Sequence, residues 1–177
     1  MKTILLCVCL LACAAVVAAR DDKKKESKPH PDLSGTWTLD KSKSDLGPFC
    51  DRPIAKADAT LVVLHHDPEL KLTRTLSLNG QQDVREFTYY TDERGETNPA
   101  VIGTGDVKSK TKWDGDKVLT RAKVTRASPR GNFEIDMTEK WQLSSDGQTL
   151  TQTTEIGGQF GAEEIKQVYR RAGPAAK

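Results

Sequence analysis

Two charged residues interrupt apolar faces of this chain. Arg74 falls within the alternating run Leu70, Leu72, Arg74, Leu76, Leu78, and Glu139 lies between Met137 and Trp141 in another alternating run. Side chains on a strand alternate between faces, so each charge points with its apolar neighbours. Charges are rarely buried without partners. Three arrangements are open: Arg74 and Glu139 pair inside, both line a wet cavity, or a β-bulge or rim position carries one of them to solvent. In the cavity arrangement, the chemistry for Arg74 is recognition of a carboxylate-bearing molecule.

Other chemistry finds little support. His65 and His66 are adjacent on a strand and face opposite sides, so they cannot both hold one metal without distortion. With Asp67 and Glu69 they form at most a weak site at a strand end, and no metal or cofactor is expected. His30 lies before the folded region. No serine occupies a nucleophile elbow, and no glycine-rich phosphate cradle precedes a helix. Asp114 and Asp116 share a turn, which they favour. Trp37, Trp113 and Trp141 fit core or barrel-end positions better than a stacking platform. Catalysis has no positive support.

The elements that position these residues are strands. From Asp32 onward, apolar residues recur at spacing two, separated by turn signals, with no sustained helical period. The pattern predicts strands at 35–40, 59–66, 70–78, 84–90, 106–113, 117–126, 132–143, 148–156 and 163–170. A connector spans 41–58, with one helical turn at most, and 96–105 is a loop or a broken edge strand. Asn79-Gly80 favours a type I′ hairpin, because both residues tolerate positive φ. Tight turns make sequential strands antiparallel neighbours, and closing the meander removes its exposed edges. The expected fold is all-β: an antiparallel up-and-down meander barrel of about 8–10 strands. A two-sheet sandwich is the alternative.

Inner faces follow from the alternation. Phe133, Ile135, Met137, Trp141 and Leu143 share one face, and Val107, Ser109, Thr111 and Trp113 share another. Val118, Thr120, Ala122 and Val124 point inward on the next strand. Several inner residues are small or polar: Thr111, Thr120, Gln152, Gln167 and Tyr169, besides Arg74 and Glu139. Small residues with convergent polar groups suit a pocket inside a barrel.

The N-terminus reads as an export signal. Lys2 precedes an apolar run from Ile4 to Val17, and small residues lead to a cut after Ala19. The run is short for a membrane span and no second one follows. Lipidation at Cys13, after Leu10-Leu11-Ala12, is the rival. Leu11 is unusual in that slot, and the residues after Cys13 stay apolar to Ala19. The organisation is then a signal peptide at 1–19, a disordered charged linker at 20–31, one domain at 32–171, and a flexible tail at 172–177. Removing the signal leaves Cys50 alone, so no internal disulfide forms. The formal charge of +2, from 27 basic and 25 acidic residues, gives no broad footprint for nucleic acid.

The first strand carries Leu33-Ser34-Gly35-Thr36-Trp37-Thr38-Leu39. This resembles the Gly-x-Trp opening of the lipocalin and fatty-acid-binding-protein (calycin) superfamily. Trp113-Asp114-Gly115-Asp116-Lys117-Val118 resembles a hairpin of its intracellular lipid-binding branch. The wider chain is also similar to secreted bacterial lipocalin-like proteins. The resemblance implies a barrel holding a small apolar molecule, with Trp37 closing one end. It also implies a basic residue over that tryptophan, Arg170 or Arg171, of which Arg170 is taken here. The connector is too short for the two-helix lid of the fatty-acid branch. The basic pair and tyrosine that grip a fatty acid there are approached only by Arg121 or Arg126 with Tyr169. The expected function is non-catalytic binding of a small hydrophobic or amphipathic, lipid-like ligand by a periplasmic or extracellular monomer. The candidate cavity residues are Arg74, Thr111, Thr120, Glu139, Gln152, Gln167 and Tyr169. The alternative is a filled barrel acting as a structural or protein-interaction module of the cell envelope.

Overall fold

The computed structural model describes residues 29–47, 53–101, 105–128, 131–158 and 161–173. The signal segment, Cys13, Cys50 and the last four residues lie outside the described residues. Ten strands form one antiparallel sheet. They are β1 (Gly35–Leu39), β2 (Asp58–His66), β3 (Glu69–Leu78), β4 (Gln81–Tyr90), β5 (Glu96–Pro99), β6 (Asp106–Asp114), β7 (Lys117–Ser128), β8 (Gly131–Leu143), β9 (Thr149–Gly158) and β10 (Gly161–Arg171). A 3-10 turn (Lys41–Lys43) and a one-turn helix, α1 (Pro53–Lys56), lie in the connector between β1 and β2.

The spatial order is β4-β3-β2-β1-β10-β9-β8-β7-β6-β5, so β1 returns to pair with β10 and the meander curls into a nearly closed barrel. The 96–105 stretch contributes the short strand β5. At the β3–β4 hairpin, Asn79 and Gly80 have φ of 52° and 79°, the two left-handed residues that a type I′ turn requires. Pairing runs without a skipped residue through β2–β3, β3–β4, β7–β8 and β8–β9. No bulge therefore moves Arg74 or Glu139 outward.

The barrel is packed at one end and hollow at the other. Trp37, Leu33, Leu61, Leu70, Val118, Trp141, Leu150 and Tyr169 are nearly fully buried and in mutual contact. Trp37 is 0% exposed, and its Nε1 donates to the Leu33 carbonyl at 3.1 Å. The closing cation is Arg171, not Arg170. The β1–β10 register sets Trp37 opposite Arg171, which turns Arg171 inward and Arg170 outward. The Arg171 guanidinium lies 4.2 Å from the Trp37 ring and donates to the Ser34 and Gly147 carbonyls. Arg170 instead pairs with Asp40 on the surface at 2.6 Å. Gly35 sits beneath the guanidinium at φ 142°, where a Cβ would collide with it.

His30 belongs to the ordered body rather than to the charged linker. Its ring stacks on Trp113 with centroids 4.2 Å apart and planes 2° apart. His65 packs against the same indole at 5.6 Å, and Trp113 Nε1 donates to Asp67 at 2.9 Å. His66, on the other face, is exposed. Among the described residues no group of three or more His, Cys, Asp or Glu could hold a metal ion, and no helix is long and apolar enough to cross a membrane.

Candidate functional site

The hollow end of the barrel encloses a cavity of about 640 Å³. Its wall is mostly apolar, with Leu76, Val107, Val124, Ile135, Ile156 and Ile165 among its members. Leu46 and Ala55, from the connector, also face it. Outside β5, where Asn98 and Pro99 both line it, the wall residues come from alternate positions of their strands, so one period-2 pattern builds both the packed end and the hollow end. The difference is side-chain size. Trp113, Val118, Trp141 and Leu150 stand toward one end of β6–β9, and Ser109, Ala122, Thr154 and Gly158 toward the other.

The polar groups gather where the packed and hollow parts meet. Arg74, half-buried on β3, donates Nη2 to the Val101 carbonyl at 2.7 Å and lies 5.3 Å over the Phe87 ring. Its Nε is buried without a hydrogen-bond partner. Burial pulls the guanidinium pKa below its ordinary value, with Arg85 acting in the same direction. Arg85 is the cross-strand partner of Arg74. It pairs with Asp83 at 2.9 Å and donates to the Ala100 carbonyl.

Glu139, on β8, is 4% exposed. Burial raises its pKa, against the opposing effects of hydrogen bonds from Trp141 and Gln152 and of the Arg74 charge. The Trp141 Nε1 donates to Oε1 of the carboxyl group. Arg74 and Glu139 form no ion pair within 4 Å, so neither neutralises the other at contact. Tyr89 and Tyr169 stand near both, and burial raises each phenol's pKa.

Of the residues singled out from sequence, Arg74, Thr120, Glu139, Gln152 and Gln167 meet on the cavity wall. Thr111 and Tyr169 do not reach it. Thr111 is fully buried between Thr120, at 2.8 Å, and Glu96, at 2.7 Å. Tyr169 stacks on Trp141 at a 6.4 Å centroid distance in the packed layer. Arg121 is exposed on the outer face. The wall also takes in Phe87, Tyr89 and Asn98, which sequence reasoning misses. Alternation from Arg85 through Phe87 to Tyr89 is the available signal for the first two. The exposed Val84, one residue off that face, obscures it.

The Glu139 environment has a measurable consequence. The folded carboxyl is held above the usual glutamate value of 4.5. Between those two values the native state binds more protons than the unfolded chain, so wild-type stability falls as pH rises through that window. Glu139→Gln keeps an acceptor for Trp141 and removes the proton linkage. Urea midpoints across about pH 4 to 9 should fall less steeply for the variant, leaving it the more stable protein at the alkaline end. Parallel curves would refute the assignment.

No protein-family model matches the chain. No curated protein matches it in sequence. Solved structures do resemble it in fold. A zebrafish ileal bile acid-binding protein complexed with cholic acid superposes with a TM-score of 0.56 at 16% identity, over 79% of this chain and 98% of that one. Secretory abundant heat soluble protein 4 from Ramazzottius varieornatus gives 0.55 at 16% identity, over 83% and 100%. Human cRBP IV gives 0.51 at 21% identity, over 80% and 99%. The chain thus shares its antiparallel barrel fold with these proteins.

Proposed function

We propose that this protein is a non-catalytic carrier of a small amphipathic molecule, held in the barrel with an anionic head toward Arg74 and an apolar tail toward Ile135 and Ile156. The observation that carries this reading is the cavity of about 640 Å³, apolar over most of its wall with a few convergent polar groups. The half-buried Arg74 guanidinium has a buried, unused Nε–H, a donor in want of an acceptor. The zebrafish neighbour, complexed with cholic acid, holds an amphipathic acid in a similar fold. Packing confined to the Trp37 end weighs against a filled interaction module. Export through the 1–19 signal, with the carrier acting as a monomer outside the cytoplasm, completes the proposal. The charge balance favours no nucleic-acid role.

Native mass spectrometry of the protein purified from its own envelope or medium tests this. A reproducible added mass of a small molecule, released by denaturation, is the expected result. Bare protein that also takes up no fatty acid or bile acid would overturn it.

A further inference from the structure

Charge is unevenly spread over the outside of the barrel. At the centre of β1–β3 the outward positions Thr36, Thr38, Thr60, Val62, Thr73 and Thr75 carry none. On β6 the outward positions include Lys108, Lys110 and Lys112, because Val107 and Ser109 line the cavity and Thr111 is buried. On β7 they include Arg121 and Lys123, both exposed. Lys110 stands directly opposite Arg121. Like charges directly opposed on neighbouring strands are destabilising.

Nearby carboxylates do little to relieve that repulsion. Among the described residues, Lys108, Lys110 and Arg121 form no ion pair. Lys112 reaches Glu93 at 4.0 Å, and Lys123 lies 3.5 Å from Glu134 and 3.7 Å from Asp136. Exposed Asp106 ends the row two residues before Lys108. Glu96 borders Lys108 and Lys110 on the β5 side. Its Oε1 accepts from the Ser109 and Thr111 hydroxyls, each at 2.7 Å, which holds it toward the barrel interior. An open outer groove of about 510 Å³ crosses β6, β7 and β8 and takes in Lys108, Lys110, Arg121, Lys123, Asp136 and Thr138. Its cations outnumber its carboxylate, and that carboxylate is already engaged by Lys123.

We propose that this outer groove binds a linear acidic polysaccharide. Cations repeat about every 7 Å along β6 and lie about 5 Å from those on β7, so a chain of anionic groups meets several at once. The Arg121 guanidinium suits a sulfate or carboxylate, and the Thr138 hydroxyl beside it suits a sugar hydroxyl. Two other anionic partners fit less well. Single-stranded nucleic acid stacks its bases on aromatic side chains, and none lines this groove. A bilayer surface takes up exposed apolar side chains, but Leu119, the apolar residue on the outer face beside Lys112, is 4% exposed. The groove lies outside the barrel, so it acts whether or not the cavity is filled.

The test titrates the chain from Arg20 onward with a heparin oligosaccharide in a calorimeter at several salt concentrations. Kd should rise steeply with salt, with a log–log slope of about 3, because each neutralised contact contributes about 0.7–0.9. Lys108→Gln, Lys110→Gln and Arg121→Gln combined should weaken binding by at least about tenfold at about 50 mM salt and lower the slope by about 2. The thermal midpoint of that variant should stay or rise, since a like-charge pair is gone. Lys23→Gln, Lys24→Gln and Lys25→Gln combined, in the charged run before the domain, should change Kd by less than about twofold. A thymidine oligonucleotide and phosphatidylserine-containing vesicles should bind at least about tenfold more weakly than heparin. Three results would each overturn the proposal: no heparin binding at low salt, binding that follows Lys23–Lys25 instead of the groove, or equal or tighter binding of the oligonucleotide or vesicles.

Discussion

Arg74→Met is expected to weaken binding of an anionic amphipath by about tenfold to a hundredfold without lowering the thermal midpoint. A hydrogen bond to a charged group contributes about 1.5–3 kcal/mol, which sets that range. Stability moves the other way because the guanidinium is poorly provided for. It is half-buried, its Nε has no partner, and Arg85 is its direct cross-strand neighbour. Methionine fills much of the same volume with no charge to desolvate. The losses are the bond to the Val101 carbonyl and the contact with the Phe87 ring. Val101 is only partly buried, so water can take over its carbonyl. Fluorescence titration with a fatty acid and its methyl ester, together with calorimetry, checks both halves. Equal loss of affinity for acid and ester would show that Arg74 only shapes the wall. A midpoint several degrees lower would show that the Val101 bond holds the fold.

The parts of this molecule legible in its sequence are those governed by local alternation. Met137, Glu139 and Trp141 share a face in the structure as their spacing requires, and the Asn79-Gly80 turn has the backbone its residues favour. Arg74 is placed inward by the same rule. The remainder depends on how strands far apart in sequence slide against one another. Arg170 and Arg171 are indistinguishable locally, and only the pairing of β1 with β10 decides which one covers Trp37. Thr111 and Thr120 lie on adjacent strands with the same inward sense. Yet Thr111 is sealed beneath Glu96 while Thr120 reaches the cavity. Asn98 is harder still, because its side-chain amide bonds to both the N–H and the carbonyl of Thr88, and a side chain standing in for a backbone carries no period. In the sequence Glu96-Thr97-Asn98-Pro99 it looks like loop chemistry. His30 was unreadable for a similar reason: its partner Trp113 lies far along the chain.

Trp37→Ala is expected to lower the thermal midpoint by about 10–20 °C and to leave ligand affinity unchanged below the new transition. Truncating a buried aromatic costs about 3–5 kcal/mol, and each kcal/mol shifts a domain of this size by about 2–4 °C. Trp37 is at the upper end of that cost for structural reasons. It has no exposed surface, its Nε1–H holds the Leu33 carbonyl, and the Arg171 guanidinium lies on its ring. Loss of the indole leaves a void against Leu61 and Tyr169 and strips the cation of its platform. Trp37→Phe keeps the ring and should lose roughly half as much. Affinity should hold because Trp37 belongs to the packed end and contributes nothing to the cavity wall. Arg74→Met and Trp37→Ala thus dissociate binding from stability in opposite directions. Calorimetry with isothermal ligand titration at about 10 °C measures both. If Trp37→Ala also abolished binding while the protein remained folded by circular dichroism, the two ends would be coupled, and the division between a packed support and a hollow receptor would fail.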